Sequence, residues 1–116
     1  MAQFLLLLHA DPAEWIKMPD AERQKWFGKY MAWGAQARES GILLGSNKLV
    51  DDNGKVLRGP QAVVTDGPYS ETKEVLGGYY MIEAPNYDEA VRLTKNHPHL
   101  EHGGTIELRQ VENLPR

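Results

Sequence analysis

Four histidines, His9, His97, His99 and His102, are the side chains of this 116-residue chain whose charge ordinarily changes near neutral pH. Three of them crowd into His97-Pro98-His99-Leu100-Glu101-His102. Imidazole and carboxylate are both zinc ligands, but Pro98 prevents the regular helix that would give them fixed ligand spacing. A loop metal site and a plain helix terminus therefore compete. We expect the terminus, with no metal and no cofactor. His97 is best placed to complement the negative end of a helix, and it is also a candidate acid/base. His9 closes the apolar run Gln3 to His9. At a strand end it reads either as a structural histidine or as the natural acid/base group.

A second polar concentration is Thr65-Asp66-Gly67-Pro68-Tyr69-Ser70-Glu71-Thr72-Lys73-Glu74. In the turn reading, Asp66 accepts from a backbone N–H two residues on, while Gly67 and Pro68 set the backbone. In the chemical reading, Asp66 orients His9 or acts as a general base, Tyr69 is a directional donor and Lys73 a point charge for an anionic ligand. Loops held by rigid strands are where binding groups concentrate. Tyr79 in the next strand, and Glu107 with Arg109 two apart on one face of the last, complete the set of candidate ligand contacts, with a plain Glu107–Arg109 pair across solvent as the equal alternative for the last two.

These groups need elements to hold them. Gln3 to His9 reads as a strand, with Phe4, Leu6 and Leu8 on one face and Leu5 and Leu7 on the other. A strand apolar on both faces must be covered on both. Met18 to Ser40 reads as a long helix: Pro19, Asp20 and Glu22 suit its first turn, Trp26, Phe27, Tyr30, Trp33 and Ala37 form its apolar stripe, and Gly41 stops it. Trp15 and Ile16 are expected to pack under the loop before it.

Ile42 to Leu49 and Val56 to Val64 read as strands joined through Asp51-Asp52-Asn53-Gly54, a hairpin signal. Gly78 to Glu83 is a further strand. Asn86 to Asn96 is a second helix with a capping box of Asn86 and Glu89, its packing face formed by Ala90, Val91, Leu93 and Thr94. Thr105 to Val111 is the last strand, and Glu112 to Arg116 a frayed tail. The order predicts a ferredoxin-like α+β sandwich, two βαβ halves with an inserted hairpin, in one domain over residues 1–116. Helices would cover one sheet face and a second copy of the chain the other.

Composition narrows the function classes. The net charge of −3 leaves no basic stripe for nucleic acid. The absence of cysteine excludes disulfides, thiolate metal sites and a cysteine nucleophile. Phe4 to Leu8 is far below the ~20 apolar residues of a membrane helix, and it lacks a basic leader. A soluble cytoplasmic protein is expected. The sequence carries no Gly-rich phosphate loop and no Ser-His-Asp arrangement.

The run from Val63 to Glu74, followed by Gly77-Gly78-Tyr79-Tyr80, resembles the signature of the DGPF family. That family is a branch of the YCII-related proteins in the dimeric α/β-barrel superfamily. Tyr69 stands where the family's name has Phe. Gly104-Thr105-Ile106-Glu107-Leu108-Arg109 is similar to the family's closing Gly-x-x-Glu-x-Arg strand, and the opening Phe4-Leu5-Leu6-Leu7 and the loop with Trp15 fit as well. The resemblance implies ferredoxin-like subunits that pair sheet to sheet into a dimeric barrel, with a cleft between sheet and helices. It also implies one of two activities. Some relatives are lyase-type enzymes acting on small organic acids through a His-Asp pair, which would correspond to His9 or His97 with Asp66. Others are regulators associated with extracytoplasmic-function sigma factors. A third reading has the motif merely stabilise the dimer.

Overall fold

The computed structural model of the chain describes residues 1–115, so the expected fraying of the tail lies partly outside the described residues at position 116. Six strands and four helices follow one another: β1 Ala2–Ala10, α1 Pro12–Lys17, α2 Asp20–Glu39, β2 Leu43–Lys48, β3 Lys55–Arg58, β4 Val63–Asp66, β5 Val75–Ala84, α3 Tyr87–Thr94, α4 Pro98–Glu101 and β6 Thr105–Val111. Four strands make an antiparallel sheet in the order β2-β5-β1-β6, and β3 and β4 form a separate two-stranded ribbon. This is the expected α+β, ferredoxin-like arrangement, with β1 central and the two main helices on one face. No helix among the described residues is long and apolar enough to cross a membrane.

Alternation on β1 decides which face is which. Phe4, Leu6 and Leu8 are buried, whereas Leu5 and Leu7 between them are only half-buried. Phe4 and Leu6 join Tyr80, Ile82 and Ala84 of β5, Trp33 and Ala37 of α2 and Ala90 of α3 in the core. Leu5 and Leu7 look out from the other, open face.

On α2 the inward stripe is Trp26, Tyr30, Trp33 and Ala37, in steps of four, three and four. Phe27 was expected in that stripe, but one residue advances about 100° around the axis, and Phe27 is exposed. Ile16 is likewise exposed, while Trp15 packs against His102. Gly41 ends α2 with φ +81°, as a left-handed stop should, and Ile42 N–H reaches back to the Ala37 carbonyl at 3.1 Å.

Half of the expected capping box on α3 is realised. Asn86 Oδ1 accepts from Glu89 N–H at 2.9 Å, but the Glu89 carboxylate pairs with Arg92 instead of returning to the cap. His97-Pro98 does not simply end this helix: Pro98 opens α4 at its first position, where a missing N–H costs nothing, and His97 Nδ1 caps it by accepting from His99 N–H at 3.0 Å.

The hairpin departs most from expectation. Residues 42–49 and 56–64 do not pair with each other. β2 pairs with β5, and the long second run breaks into β3 and β4 at Gly59-Pro60. Proline removes a ladder donor and Gly59 takes φ +77°, so the chain turns there rather than at Asn53-Gly54. Asn53 matters for a different reason. Its carbonyl oxygen would lie 2.2 Å from a Cβ at position 67, so only glycine fits after Asp66. The turn bond expected of Asp66 is also absent, because the residue two positions on is Pro68, which has no N–H. Asp66 Oδ1 instead accepts from Lys55 Nζ at 2.5 Å, across the ribbon.

Candidate active site on the open sheet face

Strand register places four of the sequence candidates on one surface. Leu7 faces Glu107 on one side and Tyr79 on the other, and Tyr79 in turn faces Asn47. Leu5 similarly lies between Arg109 and Met81. His9 lies opposite Thr105. Residues two apart on a strand share a face, so His9, Tyr79, Glu107 and Arg109 all belong to the open side with Leu5 and Leu7. The resemblance implied a cleft between sheet and helices; a cavity of that kind lies between α3, α4 and β6, lined by Val91, Thr94, Leu100, Ile106 and Leu108, but His9 and Glu107 point to the opposite, open face.

The polar contacts are short and directional. His9 Nε2 lies 3.2 Å from Glu107 Oε1. The other carboxylate oxygen, Oε2, accepts from Arg109 Nη1 at 3.4 Å. An ionised carboxylate can only accept, so Nε2 of His9 carries the proton it shares with Glu107, and in the neutral ring Nδ1 is left with its lone pair. Asn47 Nδ2 donates to the Tyr79 hydroxyl oxygen at 2.9 Å, which leaves the phenolic proton available to a further acceptor. Exposed ion pairs of this kind contribute at most about 1 kcal/mol each. Their importance is orientation.

Behind His9, on the helix side, a chain of hydrogen bonds fixes the end of β1. His99 Nε2 lies 2.8 Å from the His9 carbonyl oxygen, which can only accept. Neutral His99 is therefore protonated at Nε2, and its Nδ1 accepts from the Tyr30 hydroxyl at 2.7 Å. Tyr30 in turn contacts His102 Nε2. Burial raises the Tyr30 pKa, with a further contribution from Tyr80, so its hydroxyl keeps the proton it donates. Burial also lowers the pKa values of His99 and His102.

His97 is fully enclosed, its ring 4.6 Å from that of Trp33 and 5.0 Å from that of Tyr80. Burial, followed by the neighbouring His99 and His102, lowers its pKa to about 3. Among the described residues its Nε2–H has no conventional acceptor and meets aromatic rings instead.

Gly104, just before β6, holds this chain in place, since a Cβ there would fall 2.3 Å from His99 Nε2. Gly104→Ala is expected to displace the imidazole, break its bond to the His9 carbonyl and destabilise the fold by about 1–3 kcal/mol. Urea unfolding together with the His99 ring signals in NMR would check this. Unchanged signals would contradict it.

The remaining sequence candidates lie elsewhere. Asp66 is exposed on β4 and bonded to Lys55, and among the described residues no hydrogen bond joins it to His9. Tyr69 is 77% exposed, with the Arg58 guanidinium 5.8 Å from its ring centre. Lys73 is exposed in the loop after it. Sequence reasoning missed two contacts. Glu74, at the end of the polar stretch, accepts from Thr105 Oγ1 at 3.0 Å and so ties that stretch to the residue facing His9. Tyr30 looked like pure core, and only its spacing to Trp26 and Trp33 hinted that its hydroxyl would meet the histidines.

Fold and site together define a ferredoxin-like α+β protein with a polar row on an uncovered sheet face. The chain matches the YCII-related domain over residues 2–115 and belongs to that family. No curated protein matches it. Among solved structures it is similar to 5-chloro-2-hydroxyhydroquinone dehydrochlorinase (TftG) from Burkholderia phenoliruptrix AC1100, in complex with 2,5-dihydroxybenzoquinone. The TM-score is 0.57 at 14% identity, over 95% of this chain and 93% of that one. At that identity the likeness is one of fold.

Proposed function

We propose that this protein is a homodimeric small-molecule enzyme of the lyase or isomerase type, acting on a small anionic organic acid with His9 as its acid/base. One observation carries the reading: the Glu107 carboxylate bridges His9 and Arg109 on a single face. Glu107 holds Nε2–H, so Nδ1 is the free base. Nδ1 takes a proton from the carbon beside a carbonyl or carboxylate. The released electron pair forms a double bond as a leaving group departs from the neighbouring carbon, or a proton returns to the same carbon from the other side, which inverts it. Arg109 attracts the substrate's carboxylate, and the Tyr79 proton meets one of its oxygens. Asp66 and His97 take no step in this scheme; Glu107 has the orienting role first considered for Asp66. The dehydrochlorinase of similar fold makes elimination the reaction class to test first.

The test uses a panel of small hydroxy, keto and halo acids. Titration into nitrogen-15-labelled protein is expected to move the signals of β1 and β6. Acids that bind should incorporate deuterium from heavy water or eliminate. His9→Ala should slow that step by about 10²–10⁴-fold, the usual contribution of a positioned acid/base, and Glu107→Gln should slow it less. Full turnover by His9→Ala, or a panel that leaves β1 and β6 unmoved, would overturn the reading.

A further inference from the structure

β1 loses its regular ladder at the residue that carries the candidate base. Its register with β5 shifts between Leu8 and His9: Leu8 faces Gly78, His9 faces Leu76, and Gly77 is left over. The Gly77 carbonyl accepts from Leu49 N–H at 2.9 Å, on the side of β2. A bulge disrupts the ladder locally and re-aims the side chains beside it. Ala10 alone follows His9 in β1. The imidazole that meets Glu107 therefore sits on the least constrained end of the central strand.

A side chain from the helix side restrains that end. His99 Nε2–H donates to the His9 carbonyl at 2.8 Å. His99 is 5% exposed and is itself anchored on all sides. Its backbone N–H donates to His97 Nδ1 at 3.0 Å, its carbonyl accepts from Gly104 N–H at 2.9 Å, and its Nδ1 accepts from the Tyr30 hydroxyl at 2.7 Å. Each bond reaches a different element: His97 caps α4, Gly104 leads into β6 and Tyr30 stands on α2. Burial keeps the ring neutral against the pull of the His9 and Thr105 carbonyls. With Tyr30 donating to Nδ1, the proton of the neutral ring stays on Nε2, opposite the His9 carbonyl. A buried imidazole is costlier than an apolar side chain of the same size, but a fully satisfied polar network fixes one arrangement.

We propose that His99 is a positioning residue for His9: its Nε2–H fixes the His9 carbonyl from the helix side, and this holds the His9 imidazole in its bond to Glu107 on the open side. The inference rests on the acid/base reading of His9 for its catalytic meaning. Carbonyl and imidazole belong to one residue, so a rotation of the peptide plane carries the Cα–Cβ direction with it. His9 Nε2 lies 3.2 Å from Glu107 Oε1, near the limit of a hydrogen bond, and a shift of about 1 Å breaks it. A misplacement of that size costs a catalytic group about 10²-fold in rate. Tyr30 acts one step further back, by holding the His99 tautomer.

Long-range proton–nitrogen NMR of the unmodified protein reads which ring nitrogen of each histidine carries the proton. At neutral pH, His99 and His9 should both carry it on Nε2. His99 with its proton on Nδ1 could not donate to the carbonyl and would overturn the proposal. His99→Leu fills the space without a donor. It should leave His9 averaging between its two tautomers and, with an acid of the panel that binds, slow deuterium incorporation about tenfold or more at an unchanged dissociation constant. His99→Gln carries an amide N–H where Nε2 stood, and should return the single His9 tautomer and most of the rate. Gly104→Ala reaches the same bond from the β6 side and should reproduce the His99→Leu result, which keeps the test decisive if the His99→Leu chain does not fold. A folded His99→Leu or Gly104→Ala protein with a single His9 tautomer and full rate would overturn the proposal, as would a loss in His99→Gln equal to that in His99→Leu. The two readings fail separately. Turnover that survives His9→Ala removes the acid/base role, while the His9 tautomer still reports whether His99 holds that residue. Turnover that needs His9 but is indifferent to His99→Leu removes the positioning role alone.

Discussion

Acidification from pH 6.5 toward pH 3 is expected to remove stability steeply, and His97 is the main reason. Its pKa of about 3 lies below the ordinary 6.5, so the unfolded chain binds a proton in this range that the folded chain refuses. Stability is then fully present above 6.5 and falls as the pH drops, at about 1.4 kcal/mol per pH unit for each such histidine. His99 and His102 are shifted in the same direction, and they add to the slope just below 6.5. The structural cause is specific. A second proton on His97 would have to sit on Nδ1, which already accepts from His99 N–H, while Nε2–H is walled in by Trp33 and Tyr80.

Urea unfolding at half-unit steps between pH 7.5 and 4.5 checks this. His97→Phe keeps a ring in the enclosure and loses the cap, at a cost of about 1 kcal/mol at neutral pH, but its pH slope should be shallower by close to one proton. Parallel slopes for the two proteins would show that His97 is not the group responsible.

Phe4→Ala is expected to cost about 3–5 kcal/mol, the range for emptying an aromatic site in a tight core. Phe4 has no exposed surface and meets the Tyr87 ring edge-on at 4.9 Å. The Tyr87 hydroxyl accepts from Gln110 N–H at 2.7 Å, so Phe4 supports the contact that fastens α3 to β6. The cavity would therefore loosen three elements at once. Leu7→Ala, three positions along the same strand, removes a side chain from the open face and should cost the isolated subunit far less. Denaturant midpoints at low protein concentration, with the slope of the transition monitored, separate the two. Similar losses for both variants would mean that the open face is packed within the subunit.

That contrast shows how the sequence could be read. Phe4, Leu6 and Leu8 alternate with Leu5 and Leu7, and the alternation alone required two covered faces, because a strand side chain has only two directions to point. Gly41, Asn86 and the stripe of Trp26, Tyr30, Trp33 and Ala37 marked helix boundaries and an inward face through local sterics and the 3.6-residue period. All of these are short-range effects, so the ferredoxin-like order of elements was legible. The hairpin turn was read in the wrong place for an equally local reason. Asn53-Gly54 and Gly59-Pro60 are both turn signals, and the choice between them depends on β2 finding β5, some thirty residues further on.

The candidate site divides along the same line. His9, Tyr79, Glu107 and Arg109 could each be picked out by chemistry, and the parity of positions put Glu107 and Arg109 on one face. That Glu107, and not Asp66, meets His9 was fixed only when β6 paired with β1 in a particular register. The same holds for His97. Its sequence shows a histidine before a proline, with several roles open, and only its enclosure among aromatic rings makes it neutral and structural in character. Residue type and spacing determine which groups are able to do chemistry and which face of an element they occupy, because those follow from bonded geometry. Distance, burial and proton affinity depend on partners far away in the chain, and the tertiary structure alone supplies them.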